Sequence, residues 1–153
     1  MKKVSDIMNK AVITVAPKTP IRDIALAMYD NKLTGLPVVE GTKIVGMVTE
    51  ADLVSREANV HMPTYIQILD GTLFLDNPAA VKQELEKIAA KTANHIMTHP
   101  VETVSQEMDI HELATFMLEK HANPVPVVDA EGQLVGIVSR SDLVKLIASG
   151  LEA

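Results

Sequence analysis

The chain has 153 residues and a mass of 16.6 kDa, with 47% hydrophobic and 22% charged residues, no cysteine and a formal net charge of −6 at neutral pH. This apolar content supports a packed core and excludes wholesale disorder, while the missing thiols exclude cysteine catalysis, disulfides and cysteine-ligated metals together. Residues 94–153 carry nine acidic against three basic groups, which argues against gripping nucleic-acid phosphates, and no run approaches the roughly 18 apolar residues of a membrane span.

The opening Met1-Lys2-Lys3-Val4-Ser5-Asp6 has no apolar run behind its lysines, so no signal peptide is expected, and without cysteine the expected location is cytoplasmic. Val12-Ile13-Thr14-Val15 then reads as a β-branched strand. Ile21, Ile24, Ala25 and Met28, spaced 3, 4 and 7 apart, predict a helix, with Thr19-Pro20 as N-cap and first helical proline. Pro37 to Val39 and Ile44 to Val48 predict two strands joined by the turn Glu40-Gly41-Thr42-Lys43, and a second helix follows from Glu50. Between residues 55 and 93 the pattern changes. Pro63 to Phe74 shows no clear period; Asn77-Pro78 opens a predicted helix through Lys91, apolar along Val81, Leu85, Ile88 and Ala89, which reads as a packing arm.

From residue 96 the chain repeats itself. At an offset of 89, Ile7-Met8 returns as Ile96-Met97, Val12, Thr14 and Val15 as Val101, Thr103 and Val104, Ile21, Ala25 and Met28 as Ile110, Ala114 and Met117, and Pro37-Val38-Val39 as Pro126-Val127-Val128. One extra residue in the second turn, Asp129-Ala130-Glu131-Gly132, raises the offset to 90 for Val135-Gly136-x-Val138 and Asp142-Leu143-Val144. That makes 17 identities in 44 aligned positions, a duplication. The second helix start, Asp109 to Glu112, offers a capping pair. Each copy reads strand, helix, strand, strand, helix, and is too small to bury both faces of its sheet alone. Tryptophan is absent, so the core is aliphatic, filled in part by the eight methionines.

The chemistry concentrates in Gly46-Met47-Val48-Thr49-Glu50-Ala51-Asp52 and its twin Gly136-Ile137-Val138-Ser139-Arg140-Ser141-Asp142, where a strand ends and a helix begins. Thr49 and Ser139 at the N-cap, with Asp52 and Asp142 three residues on, make a capping box, and that alone can account for them. The same corner also offers unpaired N–H groups to an anionic ligand and a carboxylate to ribose hydroxyls, with Gly46 and Gly136 allowing a flat ring to approach the strand. The other constellations are weaker. His95 and His99 are four apart, but Pro100 biases His99 away from helix, so the histidines read as surface or capping residues and no metal is expected. No phosphate-binding Gly-x-x-x-x-Gly-Lys loop or Gly-x-Ser-x-Gly elbow occurs, and Asp52 and Asp142 lie on different repeats, so the chain is not expected to be an enzyme.

Taken in order, Val4-Ser5-Asp6-Ile7-Met8, Leu36-Pro37-Val38-Val39 and the Gly-x-x-Thr-x-x-Asp of 46–52, with counterparts at 94–97, 125–128 and 136–142, resemble the tandem CBS domain pair, also called a Bateman module. The resemblance covers roughly 110 of 153 residues. It implies an α+β fold of two βαββα repeats related by a pseudo-twofold axis, divided as repeat 1 (residues 1–58), a partly helical insertion (59–93) and repeat 2 (94–153). It also implies clefts for adenosine-containing ligands: AMP, ADP, ATP or S-adenosylmethionine. Carried over residue by residue, Asp52 and Asp142 hold the ribose hydroxyls, and Thr49 and Ser139, with Ser141 in support, contact phosphate or ribose. Backbone near Leu36-Pro37 with Thr14, and near Val125-Pro126 with Thr103, holds the adenine, against which Met47 and Ile137 pack. Where some AMP-sensing relatives carry a His-Arg pair, this chain has Thr34-Gly35 and Asn123-Pro124. Of the basic groups that can substitute, Arg140, Arg56, Lys120 and Lys145, only Arg140 lies inside the motif, so adenosine is better supported than a polyphosphate. The reading is therefore a regulatory module sensing an adenosyl ligand with no required cofactor, homodimeric through helices carrying Val54, Leu143, Leu146 and Ile147, and read by a partner protein. The alternative is a dimerisation or interaction module that takes no ligand.

Overall fold

A computed structural model describes residues 1–59 and 92–150; the predicted helix ending at Lys91 and the aperiodic stretch before it lie outside the described residues. The first repeat contains α1 (Val4–Ile7), α2 (Ile21–Asp30), β1 (Gly35–Glu40), β2 (Lys43–Thr49) and α3 (Glu50–Asn59). The second contains α4 (Ala93–Ile96), β3 (Val104–Ser105), α5 (Ile110–Glu119), β4 (Val125–Val128), β5 (Leu134–Val138) and α6 (Arg140–Ala148). This is the expected mixed α/β pair of repeats.

Both hairpins are antiparallel and alike in detail. β1 pairs with β2 from Gly35–Thr49 to Glu40–Lys43, and β4 pairs with β5 from Val125–Val138 to Val128–Leu134, each with a register shift at the second valine of its Val-Val pair. The extra residue of the second turn is absorbed by Asp129, whose Oδ1 accepts from Glu131 N at 3.0 Å and Gln133 N at 2.9 Å. Behind each hairpin lies its own aliphatic core. One gathers Ile24 and Met28 of α2 with Leu36, Val38 and Val48; the other gathers Ile110, Leu113 and Met117 of α5 with Val125, Val127, Val138 and Leu146. Each fully buried branched side chain contributes about 1.5–3 kcal/mol of transfer free energy.

Two local expectations are corrected. Val12–Val15 and Val101–Val104 do not form full strands: pairing is confined to Val15 beside Val38, and to Val104–Ser105 beside Val127–Val128. The reason lies upstream, where Asn9 is paired with Ile137 of the other repeat, so residues 10–14 must cross between two sheets and cannot follow either. The second correction concerns α2, whose N-cap is Pro20 and not Thr19. The Thr19 hydroxyl instead accepts from Ala16 N at 2.9 Å, and its carbonyl accepts from Ala93 N at 2.9 Å, so it is spent on a turn and on the second repeat. Asp109 does cap α5, but its side chain accepts from His111 N at 2.8 Å.

The leading segment of each repeat packs on the other repeat's core. Val4 of α1 is fully buried among Val104, Ile110 and Leu113, with Val4 N donating to Met108 O at 2.9 Å and Ser5 N to Gln106 O at 3.0 Å. In return Ala93 of α4 is fully buried with Ile24 and Val48, and Asn94 N donates to Pro17 O at 2.9 Å. Lys3 also bonds Glu107 across this junction, and that bond together with the Glu107 charge holds its ammonium pKa above the ordinary lysine value.

Candidate functional site

Each hairpin ends at a corner where the chain turns into a helix. Ser139 is in extended backbone (φ −125°, ψ 166°) and caps α6 together with Asp142: the Ser139 N–H donates to Asp142 Oδ2 at 2.8 Å, and the Asp142 N–H donates to Ser139 O at 3.0 Å. The Ser139 hydroxyl lies 2.9 Å from the same Oδ2 and 2.7 Å from Ser141 Oγ. The first repeat repeats the arrangement, with Thr49 N donating to Asp52 Oδ2 at 2.9 Å and its hydroxyl at 3.2 Å. Each cap thus consumes one carboxylate oxygen and leaves Oδ1 aimed elsewhere. Asp142 Oδ1 has Lys145 Nζ at 3.7 Å, and Asp52 Oδ1 accepts from Thr98 Oγ1 at 3.4 Å. Capping and ligand binding are therefore compatible in one carboxylate.

The room beside these corners is made by the opposite repeat. A cleft of about 240 Å³ runs between Ile137, Ser139, Ser141 and Asp142 on one side and Asn9 with Lys32 to Gly35 on the other. A second, of about 260 Å³, runs between Met47 and Thr49 and the second-repeat segments Thr98–Glu102 and Lys120–Pro124. The two are counterparts: Asn9 corresponds to Thr98, Lys32 to His121, and Thr34-Gly35 to Asn123-Pro124. Between them the repeats meet so closely that a Cβ on Gly35 would lie 2.9 Å from Pro124 Cδ. Lys32 and His121 both adopt left-handed backbone, at φ 54° and 51°, a sparse region for residues other than glycine that turns the chain sharply from helix end into cleft wall.

The nominated residues divide accordingly. Ile137, Ser139, Ser141 and Asp142 line one cleft and Met47 and Thr49 the other, with Asp52 bonded to two residues of that wall. Leu36 and Val125 are buried in the two cores, Pro37 and Pro126 are buried beside Met47 and Ile137 on the paired strands, and Thr14, Thr103 and Arg140 line neither cleft. The loops immediately before the apolar-Pro steps form the walls instead. The glycine expectation is corrected too. The space over Gly46 is filled by Met97 and that over Gly136 by Met8, whose sulfur would sit 2.5 Å from a Cβ there, so these glycines admit the other repeat's leader and not a ring. Lys32, Glu102 and His121 are cleft residues that the sequence did not single out, and Lys120, one of the four basic groups weighed for phosphate, lines the Met47–Thr49 cleft. Their signal was their position just upstream of the apolar-Pro steps or of Thr103, but which repeat's corner they face is not written locally. His95 bonds Thr92 Oγ1 at 2.9 Å, and among the described residues no group of three His, Asp or Glu side chains is placed to hold a metal.

The CBS domain family model matches residues 4–59 and 93–149. An uncharacterized protein of Methanocaldococcus jannaschii, MJ1426, is 30% identical over 154 residues, spanning 94% of this chain and 90% of the relative. Other curated relatives are longer; the chain spans 57%, 48% and 56% of three of them. Among solved structures, CBSX2 of Arabidopsis thaliana in complex with AMP matches with a TM-score of 0.77 at 24% identity, covering 99% of this chain and 100% of that one. The CBS domain pair of protein MJ0100, in complex with 5′-methylthioadenosine and S-adenosyl-L-methionine, matches with a TM-score of 0.72 at 25% identity, covering 95% and 99%.

Proposed function

The chain belongs to the CBS domain family, and on that premise we propose that it is a regulatory module, not an enzyme, that binds an adenosine-containing ligand in the clefts between its repeats. The observation that carries this reading is the pair of equivalent clefts, each walled by the corner of one repeat and the helix-to-strand loop of the other. A ligand there touches both repeats at once. It therefore favours one relative arrangement of them in proportion to its differential affinity, and a partner protein can read that arrangement. Asp142 Oδ1 and Asp52 Oδ1 accept the ribose hydroxyls, the helix N-termini and neighbouring hydroxyls meet the ligand's polar edge, and Ile137 and Met47 offer apolar contact to the base. The ligand-bound relatives support the adenosyl class: CBSX2 with AMP, and MJ0100 with 5′-methylthioadenosine and S-adenosyl-L-methionine.

We further propose a cytoplasmic homodimer, with residues 1–58 and 94–153 as the repeats and 59–93 between them. The dimer surface is drawn from exposed apolar helix residues, Tyr29 (82% exposed), Val54 and Ile147 (76% exposed) among them. Leu143 and Leu146 do not belong to it; they pack on the second core.

Calorimetric titration and thermal melting with AMP, ADP, ATP, S-adenosylmethionine and NAD test the ligand class. At a hundred times its dissociation constant, a true ligand should add about 2.7 kcal/mol to stability. No shift with any of the five would favour the alternative, a dimerisation module without a ligand.

A further inference from the structure

The two clefts are alike in construction and unlike in charge. The left-handed position that ends the helix is Lys32 in the Asp142 cleft and His121 in the Asp52 cleft. Glu102 lines the Asp52 cleft, where the corresponding residue of the first repeat is Ile13. The lysine of the Asp52 cleft, Lys120, has Glu102 beside it at 4.0 Å, whereas none of the ion pairs among the described residues involves Lys32. Asp52 Oδ1 is already bonded by Thr98, while the Asp142 corner adds the paired hydroxyls of Ser139 and Ser141.

From these differences we infer that the clefts sort adenosyl ligands by charge, an inference that rests on reading both as adenosyl sites. The Asp142 cleft takes a 5′-phosphorylated nucleoside, with Lys32 as the phosphate's partner from the opposite repeat. The Asp52 cleft takes a neutral or cationic nucleoside. A phosphate carries roughly −1.5 to −2 charges at neutral pH. In the first cleft it meets Lys32 and two hydroxyls, against one carboxylate that already has Lys145 at 3.7 Å. In the second it meets Glu102 beside a lysine that Glu102 already engages, with the Asp52 carboxylate bonded to the wall residues Thr49 and Thr98. A sulfonium or an uncharged nucleoside carries no such conflict.

The test is calorimetric titration of the full chain with AMP and, separately, with adenosine. The first AMP equivalent should bind at least about tenfold tighter than the second. Lys32→Asn, which keeps a residue tolerant of left-handed backbone, should weaken that first step by about tenfold and leave adenosine binding unchanged. Glu102→Gln should tighten the second AMP step and leave the first alone. Melting of each variant without ligand controls for folding, and Lys32→Gly is the second variant if the asparagine lowers the midpoint. Two AMP steps of equal affinity, or steps indifferent to both substitutions while adenosine still binds, would overturn the sorting and leave the adenosyl reading standing. Failure of both AMP and adenosine to bind would overturn the adenosyl reading and the sorting with it.

Discussion

Gly46 and Gly136 do one job twice: each lets a methionine from the other repeat lie flat on its strand. A Cβ on Gly46 would come within 2.7 Å of Met97 Cγ and 2.9 Å of Met97 Cβ, so more than the tip of a flexible side chain has to move. Gly46→Ala should therefore cost about 1–3 kcal/mol in denaturant unfolding. Met97→Ala in the same chain should recover part of that loss, a coupling that a double-mutant cycle reads directly. Asp142 carries two duties that substitution can separate. Ser139→Ala removes only the hydroxyl half of the cap and should lower stability by about 0.5–2 kcal/mol. Asp142→Ala should lose a similar amount and in addition weaken nucleotide binding in calorimetry; affinity no more affected than in Ser139→Ala would remove Asp142 from the site. Lys3 shows the opposite case, a charge with little leverage. Its pKa is raised by Glu107 in the folded state, so its contribution is fully present below the ordinary lysine range and fades only as pH climbs through the raised value. Both partners are about half exposed or more, and Lys3→Gln should leave the melting midpoint at neutral pH almost unmoved.

Short helices seldom matter to stability on their own, yet α1 and α4 hold the pair together. Each is four residues long and could not persist alone in water. Their role is to plant one small apolar side chain, Val4 or Ala93, in the other repeat's core and then to run the following chain along the other repeat's sheet edge. There Asn9 and Ile137 exchange backbone hydrogen bonds at 2.8 and 2.9 Å, and Thr98 and Met47 do so at 2.8 and 3.0 Å. The repeats are thus reciprocally tied by backbone and by core. Val4→Ala should cost roughly 1–3 kcal/mol. In hydrogen exchange the loss of protection should appear at Leu113, Val127 and Val138, residues more than a hundred positions away in the chain, and not at Leu36 or Val48.

The molecule as a whole presents two clefts, a shared wall and an apolar helix surface. Asn123 and Pro124 line both clefts, so filling one constrains a wall of the other, and Gly35 packs against Pro124 where the repeats touch. Next to the Asp142 cleft, with which it shares Lys32 to Thr34, α2 and α3 bound an open groove of about 750 Å³ lined in part by Tyr29, Leu33 and Leu53, beside exposed Val54, and α6 exposes Val144 and Ile147. If this surface is the dimer interface, Tyr29→Glu combined with Ile147→Glu should convert the dimer to a monomer in sedimentation while each monomer still melts cooperatively. A dimer unaffected by both charges would move the interface elsewhere.

The duplication, the two hairpins with their turns, and the capped corners at Thr49 and Ser139 were all legible in the amino-acid order. They depend on short-range spacing: period-two apolar runs, turn residues at fixed offsets, and a hydroxyl three residues before a carboxylate. The sequence itself determined that this is a twofold-repeated α/β module carrying two copies of one polar corner. What faces each corner was decided only by the tertiary structure. Residues 12–14 look like a strand locally but pair with neither sheet, Met8 and Met97 claim the space over glycines that looked open, and Lys32 lines the same cleft as Asp142 of the opposite repeat. Such pairings join residues far apart in the chain, 51 positions for Met97 and Gly46 and 128 for Met8 and Gly136, through packing of one core against a borrowed segment, and no local pattern encodes which of two equivalent partners the chain will choose.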